Sequence, residues 1–255
     1  MTHEQTIVLE AHDKAYILRL NRPSALNAFD ESMLQEMFRV LNGLDDKTRP
    51  LIVTGTGRAF SAGGDLKKYL NRLNDIDGLR GYFDLLAEVF MLIAEYPSAT
   101  IAAVNGITVA GGLEIMNICD LAVTAESAQF ADGHLNYGLH PGGGSSSTLV
   151  WMVGERRARW LILTGEFIGA AEAERIGLVN QVVPDRELLE RATQIAATIA
   201  GHTPSSVLRA KSLMKRNLRE VLKRESESLL AHFQAPETKE RLQFFAQRNA
   251  DKRSN

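Results

Sequence analysis

The chain has 255 residues, 45% of them apolar and 24% charged, with a formal charge of −2. This length and balance fit one α/β domain or two small ones around a substantial core, and the near-neutral charge gives no electrostatic reason to expect nucleic acid or an anionic membrane as partner. A single cysteine, Cys119, excludes an internal disulfide framework.

Residues 1–10 are polar, with no apolar signal core, and no stretch approaches the roughly 18 apolar residues of a membrane span. A soluble cytoplasmic protein is the expectation. Residues 6–10 and 14–20 are two short β-rich runs around a His-Asp turn, which predicts a hairpin. Asp30 then precedes Leu34, Met37, Phe38 and Leu41 at helical spacing, a helix with its own N-cap. Residues 51–54 form a buried-type strand ending at Gly55. A second amphipathic helix carries Tyr82, Phe83, Leu86, Val89 and Ile93 on one side. Thr100–Val104 is the next strand, Gly111–Ile118 a short helix, and 121–124 another strand. Strands alternating with helices predict right-handed crossovers and a largely parallel sheet. The run Gly142–Thr148 leads into apolar helix-like segments, and from Asp185 onward the chain reads as helix, with segments at 186–200, 205–220, 223–233 and 237–248. Their apolar faces (Leu208, Leu213, Met214, Leu218, then Leu229, Leu230, Phe233) pack either on the chain's own core or on a neighbouring subunit. Cys119 lies in an apolar stretch and is expected to be a buried, inert thiol.

Three segments carry candidate chemistry. Ala59-Phe60-Ser61-Ala62-Gly63-Gly64-Asp65-Leu66 follows a strand, and its small residues let backbone approach a ligand closely. In Val104-Asn105-Gly106-Ile107-Thr108-Val109-Ala110-Gly111-Gly112-Leu113-Glu114 a strand ends, a loop crosses and a helix opens at Gly111. The first N–H groups of a helix lack intrahelical partners and carry the positive end of its dipole, so a developing oxyanion is well placed there. Glu114 lies three residues on and projects from the same face. One short helix thus offers an oxyanion donor and a carboxylate base. The third segment, Gln129-Phe130-Ala131-Asp132-Gly133-His134, brings a histidine able to exchange protons near neutral pH. The run from Gly142 to Thr148 lacks the lysine and spacing of a phosphate-binding loop, so a tightly packed helix N-terminus is expected there. The six histidines show no metal-ligand spacing, and no metal is expected.

In this order, these segments resemble the crotonase family, the enoyl-CoA hydratase/isomerase superfamily. The likeness also runs through Leu20-Asn21-Arg22-Pro23-Ser24-Ala25-Leu26-Asn27-Ala28, Leu163-Thr164-Gly165, Ala170-Ala171-Glu172-Ala173 and Ile176-Gly177-Leu178-Val179. It implies an α/β fold, a spiral of β-β-α turns over residues 1–190. A helical C-terminal subdomain over 191–255 would build homotrimers or hexamers. It implies an acyl-CoA thioester as substrate, with coenzyme A as part of that substrate and no separate bound cofactor. By position, the N–H groups of Ala62 and Gly111 would form the oxyanion hole. Ala25, Leu26, Ser61, Gly64, Asp65 and Leu66 would contact coenzyme A, largely through backbone.

Glu114 matches one of the two glutamates that the family's hydratases use on water, and the second falls on His134. Hydration of an α,β-unsaturated acyl-CoA, with Glu114 as base and His134 as proton donor or water holder, is therefore the leading expectation. Hydrolysis of a thioester or a β-diketone is the second. The β-diketone version carries an aspartate nine residues past the histidine, where this chain has Gly143. Double-bond isomerisation by Glu114 alone is the third, and a non-catalytic acyl-CoA-binding protein is the alternative from outside enzymology.

Overall fold

The structure, a computed structural model, describes residues 5–254. In chain order its elements are β1 (Ile7–Ala11), β2 (Tyr16–Leu20), α1 (Glu31–Asn42), β3 (Leu51–Gly55), β4 (Ala59–Ser61), α2 (Leu66–Leu70), α3 (Ile76–Ala94), β5 (Thr100–Val104), β6 (Ile107–Val109), α4 (Gly111–Ile118), β7 (Leu121–Ala125) and β8 (Gln129–Ala131). A 3₁₀ turn, His134–Tyr137, precedes α5 (Ser145–Val153), α6 (Glu155–Thr164), β9 (Ile168–Gly169), α7 (Ala170–Arg175), β10 (Gln181–Val183), α8 (Leu188–Ala200), α9 (Pro204–Leu213), α10 (Leu218–His232) and α11 (Pro236–Ser254).

The strands form two sheets, ordered β1-β2-β3-β5-β7-β10 and β4-β6-β8-β9. Among the described residues only the β1–β2 hairpin and the β8–β9 pair are antiparallel. Each of the successive pairs β3/β4, β5/β6 and β7/β8 gives its first strand to the large sheet and its second to the small one. A helix follows each pair, so the chain winds as a spiral of β-β-α turns. The large sheet is buried on both faces, as parallel sheets are. Leu18, Val53, Ala102 and Val104 face the main core with α1, α3 and α4. Ile17, Ile52, Ile101, Ala103 and Val123 face the other way, against Leu188, Ala192 and Ala196 of α8.

The expected hairpin, the Asp30-capped helix and the strand–helix alternation are all present. Asp30 accepts from the Met33 N–H at 2.9 Å. The expected helix over 205–220 is two helices. Asn217 interrupts it, caps α10 by accepting from Glu220 N–H at 3.3 Å, and turns the chain. A boundary at 190/191 falls inside α8, whose apolar stripe lies on the large sheet. The apolar faces of the tail divide. Leu218, Leu229, Leu230 and Phe233 are buried, whereas Leu213 and Met214 are 89% and 73% exposed. Cys119 is buried, and burial pushes its thiol up to about 12. Among the described residues no helix is long and apolar enough to cross a membrane.

Candidate active site

The site lies where the turns of the spiral leave the small sheet. Residues 26–29 run beside 62–65, tied by Ala62 N–H to the Leu26 carbonyl (2.9 Å), Phe29 N–H to the Gly63 carbonyl (2.7 Å) and Asp65 N–H to the Phe29 carbonyl (2.9 Å). Among the described residues Leu26, Asn27 and Ala110 are the non-glycine residues with positive φ, at 52°, 55° and 52°. Such a conformation costs about 1–3 kcal/mol and persists where surroundings over-determine it. For Leu26 and Asn27 the buried Asn27 side chain does so, donating to the Thr56 and Ala59 carbonyls at 3.0 and 2.8 Å. Gly63 (φ +83°) brings its backbone against the start of α4; a Cβ there would lie 2.6 Å from the Gly111 nitrogen.

These ties correct one expected role. The Ala62 N–H is committed to the Leu26 carbonyl, so it does not point free into the cavity. Among the described residues, the N–H groups of Gly64 and Gly111 donate to no protein acceptor, and both glycines line the cavity. Gly64, not Ala62, is thus the residue of this segment whose N–H is left without a protein acceptor beside Gly111. The other expected coenzyme A contacts divide by direction. Leu66 lines the cavity. The Ser61 hydroxyl is turned inward, donating to the Asn27 carbonyl at 2.9 Å and accepting from Gly63 N–H at 3.1 Å. Asp65 caps α2 through Lys67 N–H (3.2 Å) and pairs with Arg22 (3.2 Å). Ala25 ends the short 3₁₀ turn that begins at Pro23, just before Leu26.

Glu114 is buried one turn into α4. Its Oε1 accepts from Gly143 N–H at 2.8 Å and Ser145 N–H at 3.4 Å, the turn that opens α5. The expected tight helix N-terminus at 142–148 is thus the seat of the carboxylate. Gly143 has to be glycine, because a Cβ would overlap the Glu114 carboxylate. His134 stands opposite, its Nε2 3.9 Å from Glu114 Oε1 and its Nδ1 2.9 Å from Asp132 Oδ1. Around them Ala62, Gly64, Leu66, Tyr69, Phe83, Leu86, Tyr137, Leu139 and Leu229 wall a cavity of about 50 Å³.

The electrostatics set the two groups in complementary proton states. Burial, above all, raises Glu114 to about 7; His134 and the Gly143 N–H oppose this, while Glu225 and Asp132 add to it. For His134 burial alone would favour the neutral ring. Asp132, as a charge and as hydrogen-bond partner, overrides it, with help from Glu114 and Glu225, and raises the imidazole to about 9. Between these values Glu114 is a carboxylate and His134 an imidazolium: a base and an acid facing one space. No group of three or more His, Cys, Asp or Glu able to hold a metal occurs among the described residues.

Comparison with known proteins agrees with the geometry. The sequence model of the Enoyl-CoA hydratase/isomerase family matches residues 10–254. The chain belongs to the enoyl-CoA hydratase/isomerase family. It is 37% identical over 232 residues to a probable enoyl-CoA hydratase of Mycobacterium bovis, covering 90% of this chain and 87% of that one. A short-chain-enoyl-CoA hydratase of Clostridium acetobutylicum is 36% identical over 216 residues, covering 83% and 82%. The crystal structure of an enoyl-CoA hydratase from Bacillus halodurans superposes with a TM-score of 0.88 at 25% identity, covering 94% of this chain and 99% of that one. Within this family fold, two site residues escaped the sequence reading. For Asp132 the Asp-x-His spacing was a signal that could have found it, whereas Glu225 left no local signal, since it lies 81 residues beyond the Gly144 N–H it accepts from.

Proposed function

We propose that the protein adds water across the α,β double bond of an enoyl-CoA thioester. The supporting observation is the facing pair of Glu114 and His134, 3.9 Å apart and in opposite proton states between about pH 7 and 9. That separation exceeds a direct hydrogen bond and suits a water held between the two groups. Glu114 takes a proton from this water as its oxygen bonds to the β-carbon. The electron pair of the double bond moves to the thioester oxygen, where the N–H groups of Gly64 and Gly111 stabilise the enolate; losing one such donor typically costs ~10²–10³ in rate. His134 Nε2–H then gives its proton to the α-carbon. Transfer of the proton from Glu114 back to His134 restores the starting state, so one water is consumed and no charge is left over.

The Asp132–His134 hydrogen bond is also what a hydrolytic reading would draw on, with a histidine base directing water to the thioester carbonyl. An imidazole raised to about 9 is protonated at neutral pH and is the wrong form for that task. Isomerisation would leave His134 and its aspartate without a role. A homotrimer, or a hexamer of two trimers, is part of the same proposal. It is supported by the exposed apolar side chains Trp160, Leu163 and Phe167 on and just after α6, which are 59%, 69% and 54% accessible.

Glu114→Gln tests the base. The amide oxygen still accepts from Gly143 N–H, so acyl-CoA binding should stay near normal while kcat falls by about 10²–10⁴-fold. Wild-type turnover in that variant would remove Glu114 from the mechanism.

A further inference from the structure

The stripe that α10 buries runs Leu218, Val221, Leu222, Glu225 and Leu229, at the i, i+3, i+4, i+7 spacing of a core-facing helix. Four positions are apolar and one is a carboxylate, only 5% exposed. A buried charge is costly unless paired and hydrogen-bonded. Glu225 finds its partners on the turn before α5. Its Oε2 accepts from Gly144 N–H at 2.6 Å, and its Oε1 from Ser146 N–H at 3.0 Å and from the Ser146 hydroxyl. The neighbouring donors of the same turn, Gly143 N–H and Ser145 N–H, serve Glu114. Successive N–H groups from 143 to 146 thus alternate between two carboxylates.

We propose that Glu225 is a positioning residue for Glu114, holding from α10 the far side of the turn whose near side holds the base. Moving the turn moves Glu114 relative to His134, and a misplacement of 1 Å in a reacting geometry can cost about 10²-fold. Glu225 also acts through its charge. The groups facing Glu114 are His134 and Asp132 from beyond β8, Tyr69 from α2 and Glu225 from α10. Glu225 itself faces Ser146 and His134. Charges at the outer rim are occupied elsewhere, Arg219 with Glu88 of α3 and Glu95 just past its end, and Arg224 with the Ser147 hydroxyl. As a carboxylate, Glu225 opposes charge on Glu114 and favours it on His134, so it moves both groups upward together. Removing its charge should lower both.

The inference rests on Glu114 being the base, and the test separates the two. The pH dependence of kcat for enoyl-CoA hydration is measured for the wild type, Glu225→Gln, Glu225→Ala and Glu114→Gln, each first shown to be folded by its melting transition. Glu225→Ala should lower kcat about tenfold to a hundredfold with KM within about threefold. Glu225→Gln keeps an acceptor for the turn and should recover part of that loss. In both, the acid and basic limbs should shift to lower pH, a movement that loosened packing alone would not produce. Limbs unmoved in folded Glu225→Gln, with Glu114→Gln inactive, would overturn the role of Glu225 and leave the base intact. Turnover retained in Glu114→Gln would instead overturn the base itself.

Discussion

At the scale of single residues, the site separates acid from base by environment. Glu114 and His134 are both buried, yet burial favours the neutral form of each and only His134 has a carboxylate hydrogen-bonded to it. The expected pH–rate profile is a bell. Its acid limb near 7 reports protonation of Glu114, which removes the base, and its basic limb near 9 reports deprotonation of His134, which removes the acid. Asp132→Asn takes away the charge that raises His134 while keeping an oxygen for Nδ1. Its basic limb should move down in pH, and the acid limb should follow by less, because Asp132 raises Glu114 through its charge alone but His134 through both charge and hydrogen bond; the bell narrows. A basic limb left in place would show that His134 is not the acid. Glu114 and His134 were legible because each sits in a segment with its own local signature, a helix start and a strand end. Ala62 was misplaced because position alone does not reveal hydrogen bonding. Which N–H is free depends on Leu26, a residue in left-handed conformation some 36 positions earlier in the chain.

At the scale of elements, the local patterns that carried true information were those in which one segment decides its own structure. Asp30 caps α1, and the run Thr100–Val104 is buried on both sides. The run over 205–220 misled because its apolar spacing continues through Asn217, and spacing does not register that an Asn side chain has captured the Glu220 N–H and restarted the helix. The Gly-Ser run from 142 is the element on which the site turns. Sequence marked it as a helix N-terminus and not a phosphate cradle, and its donors indeed face carboxylates of the protein itself. That two carboxylates converge on it follows from tertiary packing: α4 and α10 reach it from 29 and 81 residues away.

At the scale of the whole molecule, the two-sheet spiral was not derivable from periodicity. Strands β4, β6 and β8 have three residues each and show no alternation long enough to mark a second sheet. The resemblance to the crotonase family supplied it. The exposed Trp160, Leu163 and Phe167 belong to this scale too. The mass in solution is expected to be three or six times that of one chain, and Trp160→Glu with Leu163→Glu should reduce it. A wild-type protein that is monomeric at micromolar concentration would contradict the proposed assembly. The most direct test of the function follows purified protein with crotonyl-CoA near pH 8, where Glu114 and His134 are both in their working forms, and identifies the product by mass. The expected result is loss of the conjugated enoyl thioester and gain of one water with the CoA ester intact. Release of free coenzyme A, or no turnover by protein shown to bind the ester, would contradict hydration by the Glu114–His134 pair.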